Sequence, residues 1–335
     1  MYGALTTDTA VETFTLTPSE AARVRRFVAE TAARHGSPGS AGFLQAVQPL
    51  GAQLPPRLTD RLHAMRRLES TPALVVRGYG QGPEPGPTPG DWRRTDPRAT
   101  ALEDFRLLLL ASQLGDPFSW SSLQEGRLVT DILPVPGKET EQTGQSSDVD
   151  LEFHVEDAFH PHRCDYLALL CLRNPQAVAT TLATADCAGL PDRIVDVLFE
   201  ERFLIEPDLE HSRNLRASAD GTPAPWGRPV SVLFGDRTAP YLRLDPPYMT
   251  AVPGDGAAAE ALEALCRQLA GDLREVVLEQ GDILLVDNYR AVHGRRPFVP
   301  RYDGTDRWLR RVFITRDLRR TRGLRSGAAD HVVRQ

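Results

Sequence analysis

The chain is poor in the features that would narrow its class quickly. Its four cysteines (Cys164, Cys171, Cys187 and Cys266) never fall in C-x-x-C spacing and are too sparse for a secreted disulfide scaffold. They read as small apolar groups in a reducing compartment, which makes the cytoplasm the expected location. There is no basic surplus: the net charge is -6, against the excess of Lys and Arg that a nucleic-acid partner calls for. No apolar run approaches the roughly 18 residues of a membrane span, and the longest, 107–112 and 167–172, are core-sized. The start shows no charged segment followed by an apolar signal core. No internal repeat and no heptad pattern is present. What remains is ordinary globular composition, 41% hydrophobic and 25% charged over 335 residues.

Periodicity divides the chain. Residues 18–35 open with Pro-Ser-Glu and continue with apolar residues at helical spacing, so a helix is expected there, with others over 41–50, 58–67 and 98–114. Gly and Pro crowd 80–99, which reads as a surface loop. From about 125 the texture turns to short β-rich runs at 127–133, 149–154, 166–172, 230–234, 283–287 and 308–314. Several short strands separated by turns suggest a sandwich or barrel. Helices are expected at 174–188, 191–202 and 257–272, and a long polar loop at 206–228, of the kind that often serves as a lid. The Arg-rich stretch 316–335 reads as a solvated basic tail. The division expected is a single domain over 1–335, with a mainly helical accessory region over 1–100 and a β-rich core over 100–315.

The most informative residues are His154-Val155-Glu156. Side chains alternate along a strand, so His-x-Glu puts an imidazole and a carboxylate on one side of the backbone, where both can bind one metal ion. A lone His-x-Glu also arises by chance, and His154 alone reads equally well as a core histidine. Its place at the end of a strand, just before a turn, is where a site on a rigid scaffold sits. A third ligand must come from far along the chain, and His293, in D-N-Y-R-A-V-H-G over 287–294, is the best candidate. Two His and one carboxylate leave open positions, the pattern of non-haem Fe(II) oxygenases. His160 and His162 compete by proximity, but their turn setting makes them supporting or surface groups.

The stretch E-F-H-V-E-D-A-F-H-P-H-R-C-D-Y over 152–166, followed by L-L-C-L-R-N over 169–174, resembles the clavaminate synthase-like branch of the Fe(II)/2-oxoglutarate-dependent oxygenases. Within it the chain is most similar to the free L-amino-acid β-hydroxylases of the arginine and asparagine type. The resemblance covers about 100–315 and implies an α+β chain built on a double-stranded β-helix (jelly roll) with flanking helices. It implies Fe(II), 2-oxoglutarate and O2 as metal, cosubstrate and oxidant. Arg307, in D-R-W-L-R-R over 306–311, matches the arginine that pairs with the distal carboxylate of 2-oxoglutarate, a role suited to a planar guanidinium. A cosubstrate-contacting threonine falls on Thr181, with Thr180 beside it.

The same resemblance implies the substrate contacts. Arg311 corresponds to the arginine that grips the substrate α-carboxylate. Gln124 or Glu125 corresponds to the group that meets the α-amino end, with Ser146 or Ser147 lining it. Glu156 can accept from the ammonium through its other oxygen. Asp245, in P-Y-L-R-L-D-P-P-Y over 240–248, matches one of two acids that hold a guanidinium; the second is absent, because position 247 is Pro. Asp245 also fits a plain turn-initiating Asp before Pro-Pro. The expected activity is hydroxylation, at Cβ, of a free L-amino acid, with L-arginine or a related basic amino acid first. Asparagine, lysine, a cyclic arginine derivative, and desaturation or cyclisation stay open. From other classes, a Zn hydrolase on the same ligands and a non-catalytic jelly-roll binder stay open too. The partner expected is a small amino acid, with no nucleic acid and no membrane.

Overall fold

Strand Tyr166–Arg173 is apolar at nearly every position, which fits a strand covered on both faces rather than one with a wet side. Its alternate residues enter two different cores. Tyr166, Ala168, Leu170 and Leu172 join one cluster, while Leu167, Leu169 and Cys171 join another. In the computed structural model, which describes residues 11–80, 82, 84–214 and 227–334, this strand lies at the centre of a mixed α+β architecture.

The main sheet runs in the order Glu12–Thr15, Ala73–Arg77, Ile283–Asp287, Tyr166–Arg173, Trp308–Thr315, Asp116–Trp120 and Val332–Val333, and Thr130–Ile132 also pairs with Trp308–Thr315. Helices Pro18–His35, Ala41–Gly51, Pro56–Leu68 and Ala101–Ala111 bury Val24, Phe43, Leu62 and Leu108 in the cluster that covers its outer face. The first helix starts where its sequence says it should. Thr17 and Glu20 form a reciprocal capping box, a device worth about 1 kcal/mol.

A smaller antiparallel sheet, in the order Arg274–Val277, Ala179–Ala183, Val292–Arg295 and Leu151–His154, faces the inner side. Leu182 and, at its margin, Val276 pack with Leu169, Leu284, Leu309 and Phe313 between the two sheets. Helices Asp192–Leu198 and Gly256–Gly271 close the far side, where Val155, Ala183 and Val292 meet Leu198 and Leu265.

Several expectations change. The helix expected over 174–188 is instead strand Ala179–Ala183, paired on both edges; two sheet partners outweigh the helix preference of its alanines. The helix expected over 191–202 stops at Leu198. The N-terminal region is not only helical. Glu12–Thr15 and Ala73–Arg77 enter the main sheet. The basic tail is solvated only in part: Arg316, Arg319, Arg320, Arg322 and Arg334 are exposed, but Leu318 and Val333 enter the inner core, and Val332–Val333 pairs in parallel with Asp116–Trp120. Arg325 is buried there, donating to the carbonyls of Leu318, Gly327, Ala328 and Asp330. Within the expected lid, Leu209–Asn214 is a short helix, and residues 215–226 lie outside the described residues.

Candidate metal and cosubstrate site

Strands Leu151–His154 and Val292–Arg295 run antiparallel with His154 directly opposite His293. One bond further the register slips, so that Glu152 and Phe153 face Gly294 alone. Such a bulge re-aims side chains, and here it lets both Leu151 and His154 face one cavity despite their odd spacing. Gly294 permits it. A Cβ there would lie 2.4 Å from the Leu151 carbonyl oxygen.

Glu156 follows the strand on a loop pinned from below. Its backbone N–H donates to Asn288 Oδ1 at 2.7 Å, and Asn288 Nδ2 donates back to the Glu156 and Cys164 carbonyls, each at 3.0 Å. The result is a tight cluster. Glu156 Oε2 lies 3.3 Å from His293 Nε2 and 3.8 Å from His154 Nε2, and the two rings are 4.6 Å apart. His154 Nδ1 sits 2.8 Å from the Glu152 carbonyl, which fixes the proton there and leaves Nε2 as the ligating lone pair. Three donor atoms within 4.8 Å of one another, two of them neutral-capable imidazoles, suit a divalent first-row metal.

The electrostatics agree. Burial opposes charge on Glu156, yet the Arg311 guanidinium and the two imidazoles hold it well below the usual carboxylate range. Burial also opposes charge on His154, but Glu156 and Asp245 outweigh it and push that imidazole up to about 9. His293 goes the other way, pushed down mainly by burial. One proton therefore sits where a cation belongs.

The ligands open into a cavity that also exposes Arg307, Arg311, Arg295, Thr180, Asp245, Asp208 and Glu210. Arg311 Nη1 donates to Glu156 Oε1 at 2.6 Å. Arg307 is buried, and among the described residues its side chain hydrogen-bonds to Thr180 Oγ1 at 3.3 Å and keeps Nε without a partner; burial pushes it down to about 10. Arg295 is pushed down to about 9 by burial and by the like charge of Arg307. The Asp245 carboxylate has no hydrogen-bond partner among the described residues, and burial pushes it up to about 8. Asp245 does precede a turn, Pro246–Tyr248, but its side chain does not cap it.

Some expected residues are elsewhere. Thr181 pairs with Gly294 and faces away, while its neighbour Thr180 pairs with Arg295 and faces the cavity, an error of one residue that flips the side chain. Gln124 does not line the cavity. Its amide donates to the Asp131 carbonyl and accepts from the Asp131 N–H. Glu125 is exposed to solvent. The Ser146 hydroxyl donates to the Thr143 carbonyl and accepts from Arg295, so it is occupied beneath the cavity wall. Ser147 is likewise outside the lining and gives its carbonyl to Arg295. His160 is buried edge-on against Trp120, and its Nδ1 accepts the His162 N–H.

Sequence reasoning missed the contacts behind the metal loop. Asp157 accepts from Trp120 Nε1 at 2.5 Å and lies 2.9 Å from His211 Nε2, while His211 Nδ1 meets Ser122 Oγ at 2.8 Å. With both ring nitrogens used, His211 is a fastening between the metal loop and helix Leu209–Asn214 rather than a ligand. It also missed Asp208 and Glu210, although the expectation of a lid over 206–228 was the available signal.

Comparison with known proteins extends this geometry to the whole chain. Residues 107–313 match the family model described as "Taurine catabolism dioxygenase TauD, TfdA family". The enduracididine beta-hydroxylase of Streptomyces hygroscopicus is 40% identical, over 96% of this chain and 99% of that protein. The L-ornithine/L-arginine 3-hydroxylase of Catenulispora acidiphila is 38% identical, over 95% and 98%. The non-heme iron oxygenase OrfP, solved with Fe and alpha-ketoglutaric acid, superposes with a TM-score of 0.88 at 42% identity, covering 96% of this chain and 99% of that one. With near-complete coverage on both sides and the His-Glu-His cluster in place, the chain belongs to the TauD/TfdA dioxygenase family.

Proposed function

We propose that this protein is an Fe(II)/2-oxoglutarate-dependent oxygenase that hydroxylates Cβ of a free basic L-amino acid, L-arginine or a cyclic or shortened relative of it, in natural-product biosynthesis. The observation that carries the reading is the convergence of His154, Glu156 and His293 in one cavity with Arg307, a buried cation lacking any carboxylate partner among the described residues. A double-stranded β-helix is the fold we assign, with the larger and smaller sheets as its two walls. Four unpaired thiols, and the lack among the described residues of any helix long and apolar enough to cross a membrane, support a cytoplasmic enzyme.

The residues divide the work. His154, Glu156 and His293 hold Fe(II), which with 2-oxoglutarate supplies the oxidising power to activate O2 and attack an unactivated carbon. Glu156 serves through Oε2, while Oε1 stays with Arg311. Arg307, steadied by Thr180, takes the distal carboxylate of 2-oxoglutarate. Arg311 takes the α-carboxylate of the amino acid, and the second oxygen of Glu156 then faces its ammonium group. Ile132, Leu169 and Leu309 give the cavity dry walls.

Selection of a cationic side chain is supported by acids. Asp245, Asp208 and Glu210 all reach the cavity, so Pro247 does not leave Asp245 as a lone acid. Relatives at similar identity differ in substrate: one is named for enduracididine, another for ornithine and arginine, and OrfP has been solved with Fe and L-Arg. The test is aerobic incubation with Fe(II), 2-oxoglutarate and a panel of L-amino acids that includes arginine, enduracididine, ornithine, lysine and asparagine. The expected outcome is succinate with one oxygen gained on a basic amino acid. Turnover with Zn(II) and no use of 2-oxoglutarate would mark a hydrolase instead, and binding without succinate would mark a non-catalytic binder.

A further inference from the structure

Arg295 lies two residues beyond His293 on the same strand and lines the same cavity. It is 4% exposed, yet all its hydrogen bonds go to neutral groups. Nη1 donates to the carbonyls of Ser147 at 3.0 Å and Arg296 at 2.9 Å, and Nη2 to Ser146 Oγ at 2.9 Å and the Val149 carbonyl at 3.2 Å. Its Nε has no partner, and among the described residues no carboxylate lies within ion-pair distance. Arg307, on the neighbouring wall, is in the same condition.

An isolated buried charge is costly, and a side chain that can shed its proton usually does so. Arginine resists this: even with burial pushing Arg295 down to about 9 and Arg307 down to about 10, both guanidiniums stay charged at neutral pH. Two such groups near each other on one cavity concentrate positive charge locally, only partly offset by Asp148 and Asp150, none of whose oxygens is in ion-pair reach, and that suits an entering anion. The amino-acid carboxylate is matched by Arg311, whose own charge Glu156 already balances. The distal carboxylate of the cosubstrate is the remaining anion.

We propose that Arg295 is a second determinant of dicarboxylate selectivity, its fixed charge acting with Arg307 on the distal carboxylate of the 2-oxo acid. This rests on the oxygenase reading above. Arg295 is a positioning residue. Three of the four neutral hydrogen bonds hold its guanidinium against the 146–149 segment, so its charge acts through space rather than as a direct clamp. Charges act over several ångströms where water is excluded, which makes such an arrangement effective.

The test is equilibrium binding without oxygen, with Mn(II) in place of Fe(II), comparing 2-oxoglutarate with 2-oxopentanoate, which lacks the distal carboxylate. Arg295→Gln should weaken 2-oxoglutarate about tenfold or more while leaving 2-oxopentanoate and Mn(II) binding as in the parent, and Arg295→Lys should retain most of the preference. Equal weakening of both acids, a loss of Mn(II) affinity that accounts for the change, or identical behaviour of the Lys and Gln variants would overturn the proposal. If Arg295→Gln does not fold, Arg307→Gln decides: it should keep a residual preference of several-fold for 2-oxoglutarate, and no preference at all would refute Arg295. A parent protein that does not distinguish the two acids would overturn the oxygenase reading itself, and this inference with it.

Discussion

Arg310 and Arg311 are neighbours on strand Trp308–Thr315 and point to opposite faces of the main sheet. On the outer face Arg310 is fully matched. Asp104 takes its Nε at 2.8 Å and its Nη2 at 2.9 Å, Asp131 takes Nη1, and Trp308 Nε1 donates to the same Asp131 at 2.7 Å. On the inner face, among the described residues, Arg307 and Arg295 have no carboxylate in ion-pair contact, and the Asp245 carboxylate has no hydrogen-bond partner. Both faces are buried, so dryness does not distinguish them. Completeness does. A folded chain matches its charges where nothing else will arrive and leaves them unmatched where a ligand will.

The sharpest way to break this contrast is at the metal. Glu156→Ala should abolish turnover and Fe(II) binding while the sheets persist, checked by metal titration and circular dichroism; retained activity would end the account of the inner face. Next, Arg310→Met strands two buried acids, and should cost about 3–5 kcal/mol in denaturant unfolding while the surviving folded enzyme keeps its KM for 2-oxoglutarate. Arg307→Met removes an unmatched charge, so its metal-free form should be no less stable than the parent. Asp245→Asn should weaken cationic amino acids by about 1.5–3 kcal/mol, the worth of a hydrogen bond to a charged group, and neutral ones far less, read by calorimetry.

The most gradual effect is in pH. The His154 imidazole is raised in the metal-free fold from 6.5 to about 9, so the folded form holds the proton more tightly than the unfolded chain. The stability this provides is fully present below pH 6.5 and is lost as pH rises to about 9, with a slope of at most about 1.4 kcal/mol per pH unit. Fe(II) must displace that proton, so its affinity should climb over the same window. Melting temperature of the metal-free protein and metal affinity should therefore move in opposite directions; parallel trends would show that His154 is not the group being titrated.

Much of this was legible in the residues. His154, Glu156 and His293 could be singled out by residue type and spacing, Arg307 and Arg311 by the family resemblance, and all five line one cavity. Helix 18–35 could be found because its cap and its periodicity agree. Thr180 was mistaken for Thr181 because sequence spacing carries no register, and one residue reverses a strand side chain. Gln124 and Ser146 have the right chemistry, but backbone groups of Asp131 and Thr143 claim their polar atoms, and only packing shows that. Strand Ala179–Ala183 was hidden because its residues suit either state until two partner strands are supplied. The Arg-rich C-terminal segment looked wholly solvated because composition does not reveal that Arg325, unlike its exposed neighbours, turns inward to four carbonyls.

The order of residues, with the family it resembles, determined which side chains carry the chemistry for a metal and an oxo acid, since ligand chemistry belongs to the side chain itself. Folding settled which charges are satisfied and which are left waiting, because neutralisation depends on distance across the sheets. The bulge opposite Gly294, the ion-paired Arg310 and the Arg295 held only by neutral groups are all products of that long-range packing.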